Sequence, residues 1–313
     1  VGDVKVSNGL TQTAGTETLT VSNGTLTLDK TAVVTNSVLG NISGAGTAKI
    51  VDQRTSTAAA DVSEMVDNFN TVTVEKITDP TTDLTATDLN GKKLTVKAGD
   101  ADFASLASDA STVISVAGKA TVNDNATLNG SWTVGTLAAG ANLTINGDAT
   151  AATLTGVGTL LTVNGDLTVN TTAPATLTAL TMGADAQVSL PASVTAITTL
   201  NTTGGSTGTT TLVAEGATVT TYATLTDKTD LTIATLTTNT GGADAKVTFK
   251  GAQPALALAE GTFQFDAAPA AAMTSFANNS KIIINYEVNS TNKTNFSAAA
   301  PTAGATMTFK VQP

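Results

Sequence analysis

Leucine, valine and isoleucine alternate with threonine and other small residues along most of this chain, and glycine-containing turns break the alternation at short intervals. The pattern reads Leu19-Thr-Val-Ser-Asn-Gly24-Thr-Leu-Thr-Leu28, then Ile114-Ser-Val-Ala-Gly118-Lys-Ala-Thr-Val122 and Ala126-Thr-Leu-Asn-Gly130-Ser-Trp-Thr-Val134. It returns at Leu143-Thr-Ile-Asn-Gly147-Asp, and most clearly as Leu161-Thr-Val-Asn-Gly165-Asp-Leu-Thr-Val169. A period of two predicts strands with one face buried, and Asn-Gly steps supply the positive φ angles of tight turns. The turn glycines Gly130, Gly147, Gly165 and Gly183 stand 17, 18 and 18 residues apart.

Two architectures accommodate that step. In a β-solenoid each coil of about 18 residues stacks on the next, so equivalent residues form ladders around a narrow core. Leu143 would then lie beside Leu161, Ile145 beside Val163 and Asn146 beside Asn164. In the alternative, the turns join antiparallel strands in tandem β-sandwiches. The near-constant step favours a mainly β fold built as a solenoid over residues 112–265, with short helical insertions.

Three stretches depart from the alternation. Asp61-Val-Ser-Glu64 has capping-box spacing, and Val62, Met65, Val66 and Phe69 repeat at helical intervals. Phe103, Leu106, Ala107 and Ala110 show the same periodicity, and Pro269 precedes Met273 and Phe276 as at a helix start. The expected organisation is therefore an N-terminal β segment (1–50) and a helix-containing insertion or cap (51–111). The solenoid (112–265) and a C-terminal cap with terminal strands (266–313) follow. A small α/β domain around 50–110 is the alternative for the second part.

Composition narrows the chemistry. Of the 313 residues none is His or Cys, which excludes His-based triads, thiol nucleophiles, disulfides and zinc–thiolate sites. Threonine makes up about a fifth of the chain, while there are one Trp, two Tyr and eight Phe, so the core is built from small and β-branched residues. The net charge of −10, with Arg54 the single arginine and no lysine cluster, argues against nucleic acid. No apolar run is long enough to predict a membrane span. A chain opening at Val1 without Met or a signal-peptide pattern is expected to be a processed protein or an excised fragment.

Stacked coils would align Asp148 and Asp166, with Asp185 nearly in phase, as an acidic ladder able to take Ca²⁺ through hard oxygen ligands. Carboxylates on neighbouring coils are also what a β-helical glycosidase uses, but no basic or aromatic groove accompanies these, and no enzyme is expected. Thr-x-Thr pairs such as Thr153/Thr155 and Thr176/Thr178 would suggest an ice-binding array, yet they do not recur at one coil spacing in the sequence. Asn-x-Ser/Thr sequons are numerous, including Asn41 and Asn129, and cluster at Asn289, Asn292 and Asn295 as candidate glycosylation sites.

The Leu161–Val169 run, with the Thr/Ala-rich stretch from Thr57 to Val66, resembles prokaryotic cell-surface repeat proteins, namely surface-layer proteins and filamentous adhesin-type β-solenoids. That resemblance implies a secreted, extracellular structural protein that assembles with copies of itself into a layer or filament. Val4 and Val6, with Phe309 and Val311, alternate with polar residues in the terminal segments and are the expected assembly residues. The alternative is an adhesin or phage-type spike recognising cell-wall or surface glycans, with an exposed aromatic patch around Trp132 and Tyr222.

Overall fold

The computed structural model describes residues 2–202 apart from 11–17, 79–83, 85–87, 104–106, 123–124, 158–159 and 184. Beyond residue 202 it describes the strands named below and positions 286 and 288. The chain is a parallel β-solenoid whose coils lie about 20 residues apart. It divides into two compact units, residues 1–140 with 146–155, and residues 141–145 with 156–313.

In the first unit Val4–Val6 pairs with Thr25–Leu28, which pairs with Lys49–Asp52, then Thr71–Val74, Lys93–Val96, Val113–Val122, Ser131–Ala138 and Asp148–Thr155. Every one of these ladders is parallel, which removes the antiparallel sandwich alternative. The parallel stack also begins well before residue 112. Its side chains alternate as a pleated strand requires. One inward rank is Leu26, Ile50, Val72, Leu94, Ile114, Trp132 and Ala149, all nearly or wholly buried. The bulkiest member is followed by one of the smallest, so the indole gains room from Ala149 on the next coil.

Among the described residues two helices interrupt this stack, α1 (Asn36–Leu39) and α2 (Ala59–Asn68). The inward stripe of α2 is Ala59, Val62, Met65 and Val66, close to the periodicity expected, but the capping box is not used. The N-cap is Ala58, with no side-chain cap, and Asp61 lies inside the first turn. Phe69 at the C-cap is 2% exposed, and its ring occupies the space above Gly44 that a Cβ there would need. Lys92 of the next coil donates to the carbonyls of Asp67 and Phe69 at 3.4 and 3.3 Å, where a helix C-terminus favours a cation.

The expected helix around Phe103 is not there at its start. Ala101–Phe103 is a strand paired with Ala120–Val122, and Ala107 makes a parallel bridge with Asp88. Phe276 likewise lies in a short strand, Ser275–Phe276, paired with Ala257–Leu258 and Ala300–Pro301; Pro269 and Met273 fall outside the described residues.

In the second unit one parallel sheet contains Asn142–Ile145, Leu160–Val163, Thr176–Met182, Ala196–Thr202 and Thr218–Leu225. Leu143 pairs with Leu161 and Ile145 with Val163, as the sequence spacing predicts. A second parallel series runs through Asp166–Thr172, Gln187–Leu190, Thr209–Ala214, Asp230–Ile233, Lys246–Phe249, Thr262–Phe265, Lys281–Ile284 and Thr306–Phe309.

Candidate functional site

The turns of the first unit line up as well as its strands do. Gly130 has φ of +77°, which the Asn-Gly turn requires, whereas Gly147 is glycine because of its neighbour. A Cβ on Gly147 would run into the carbonyl oxygen of Gly130 on the preceding coil. The adjoining asparagines form a ladder: Asn129 Nδ2 donates to the Ser108 carbonyl at 2.6 Å, and Asn146 Nδ2 donates to Asn129 Oδ1 at 2.9 Å. Backbone bonds tie the same corner, from Ser131 N to Thr112 O at 2.9 Å and from Asp148 N to Gly130 O at 2.8 Å.

An open cleft of about 250 Å³ lies along this corner, lined by Thr112, Asn129, Ser131, Asn146, Gly147 and Asp148 among others. Asp148 is its one ionisable side chain, exposed and opposite Ser131 in register. One carboxylate beside amides and hydroxyls is a hydrogen-bonding surface without a partner acid or base among the lining residues.

The acidic ladder takes a different form in the second unit. Asp166 pairs in register with Gln187, whose backbone N–H donates to Asp166 Oδ1 at 3.2 Å. Asp185 lies two residues ahead of that position, exposed in the turn. Among the described residues no group of three or more Asp, Glu, His or Cys is placed to hold a metal ion.

Of the assembly residues, Val4 and Val6 pair with Leu26 and Leu28, with Val6 turned into the core. Phe309 pairs with Ile284, and Val311 lies outside the described residues. So do Asn289, Asn292 and Asn295. Two other sequons have their amides engaged: Asn129 as above, and Asn41, whose Nδ2 donates to Ser37 O at 2.9 Å. Trp132 is no surface platform. It is 1% exposed, its Nε1–H donates to Asn129 O at 3.0 Å, and it meets Phe103 edge-on with centroids 5.6 Å apart. The side chain of Tyr222 lies outside the description.

The register also reveals a surface that sequence spacing hides. Thr27, Val51, Thr73, Thr95, Ser115, Thr133 and Thr150 are successive neighbours on the outward side of the first unit's long sheet. The row is uncharged and all but one member carries a hydroxyl. It escapes a search for one period because the step is 24 residues at the Asn23–Thr47 turn and 17 at Asn129–Asn146.

The chain matches no family model, no curated protein and no solved structure.

Proposed function

We propose that this chain is a secreted structural protein that assembles with copies of itself into a surface layer or extracellular filament. The observation that carries the reading is the parallel pairing repeated from coil to coil in the first unit, which extends by repeating one strand-to-strand contact. Among the described residues Val4–Val6 has its paired ladder on one side, with Thr25–Leu28. A parallel sheet edge of that kind accepts a further strand through its backbone groups, and Thr306–Phe309 of another copy is the natural donor. The uncharged hydroxyl row of the first unit and its core of stacked aliphatics suit a structural role. An adhesin reading draws no support from Trp132, which lies in the core.

Negative-stain electron microscopy of the purified chain, beside a variant lacking residues 1–8, tests this. Polymers that shorten or vanish in the deletion variant support it. A full-length chain that stays monomeric at every concentration overturns the assembly reading, and unchanged polymers in the variant overturn the role of the N-terminal strand.

A further inference from the structure

Asp52 occupies a place in the core where only apolar side chains are expected. Its register neighbours are Leu28 on one coil and Val74 on the next, yet it is 1% exposed. Arg54 makes this tolerable. Its Nε donates to Asp52 Oδ1 and Oδ2 at 2.9 and 3.1 Å, its Nη2 donates to Oδ2 at 2.8 Å, and the Thr57 hydroxyl donates to Oδ2 at 2.9 Å. The remaining arm, Nη1, reaches Asp61 Oδ2 at 3.1 Å and the Val34 carbonyl at 3.4 Å.

One guanidinium therefore faces two carboxylates in a site where Arg54 is 7% and Asp61 9% exposed. Asp52 and Arg54 belong to the coil, and Asp61 belongs to α2, so the Arg54–Asp61 contact joins helix to solenoid. The surplus charge weakens the joint, because removing charge from water is costly unless it is balanced. A proton on Asp61 cancels the surplus, and the carboxyl still accepts from Arg54.

We propose that the Asp52–Arg54–Asp61 cluster is an acid-strengthened latch, which holds α2 more firmly against the solenoid as the pH falls from neutral towards the ordinary carboxyl range. Burial pushes the Asp61 carboxyl above its usual range; Arg54 opposes that push and Asp52 adds to it. A raised carboxyl means that docking takes up a proton. Docking therefore gains as the pH falls towards the ordinary value of 3.8 and gains nothing further below it. The elements packed against α2, namely α1, Ile42–Ala45 and Thr71–Val74, contribute no charged side chain. On the helix itself the other ionisable groups are Glu64 and Asp67, with Lys92 at the far end.

Amide hydrogen exchange on the intact chain, corrected for the intrinsic rate at each pH, reads the latch directly. Protection of residues 59–68 relative to Ser131–Ala138 should rise between about pH 7.5 and about pH 4. Asp61→Asn, neutral at both pH values, should abolish the rise, and Glu64→Gln should preserve it. A native chain whose helix protection ignores pH, or an Asp61→Asn variant that keeps the rise, overturns the proposal. Loss of the rise in Glu64→Gln would assign it to the wrong carboxylate and overturn it equally.

Discussion

Replacing Trp132, the one tryptophan of the chain, tests the packing at the centre of the first unit. The indole lies between Ile114 and Ala149 in the inward rank, with Phe103 edge-on to it and the Asn129 carbonyl accepting its N–H. Trp132→Ala removes a side chain that is 1% exposed, and Ala149 is too small to fill the space. Truncations of this kind cost about 3–5 kcal/mol. Trp132→Phe keeps most of the volume and an aromatic partner for Phe103 but leaves the Asn129 carbonyl without its donor, for a loss of about 1–3 kcal/mol. Urea unfolding followed by far-UV circular dichroism gives both values from the shift in midpoint at constant slope. A Trp132→Ala variant less than about 1 kcal/mol below the parent would place the indole outside a packed core and refute the reasoning.

Other consequences follow from the same register. Gly147→Ala should cost about 1–3 kcal/mol, because its Cβ collides with the Gly130 backbone of the coil before it; calorimetry of the variant measures this. Leu161→Ala, fully buried between Leu143 and Leu180, should cost about 2–5 kcal/mol. Hydrogen exchange should show the loss concentrated in its own and adjacent coils, as nearest-neighbour stacking requires. Asp109 is held below its usual carboxyl value of 3.8, first by the Ser111 hydroxyl and then by the Gly91 N–H. Its stabilisation is thus complete above 3.8 and lost as the pH falls through its lower folded value. The melting temperature of Asp109→Asn should accordingly fall less steeply than the parent's below that pH.

The sequence made the solenoid legible where the coils are shortest and most alike. Leu143 beside Leu161 and Ile145 beside Val163 can be read from spacing alone, because nothing is inserted between those strands. Nearer the N-terminus the coils lengthen at their turns, and α2 is inserted into one, so no fixed period marks Thr27, Val51 and Thr73 as successive neighbours. The start of α2 was obscured by tertiary competition: Asp61 has the spacing of a local cap but is drawn inward by Arg54. The strand Ala101–Phe103 is only three residues long, too short to show alternation, and Phe103 with the alanines after it imitates a helical stripe. The ion cluster left no pattern at all. Asp52 lies in a run that alternates like any strand, and only the coil register shows that its side chain faces the core.

The register itself is open to direct measurement. The native chain has no cysteine, so Thr73→Cys and Thr150→Cys introduce two unique spin-label positions. They stand four steps apart in one row, through Thr95, Ser115 and Thr133. At a strand spacing of about 4.8 Å their Cα atoms should be about 19 Å apart. Pulsed electron–electron resonance should return a single narrow distribution near that value, broadened only by the reach of the labels. A broad distribution, or a distance more than about twice as long, would contradict a parallel in-register solenoid.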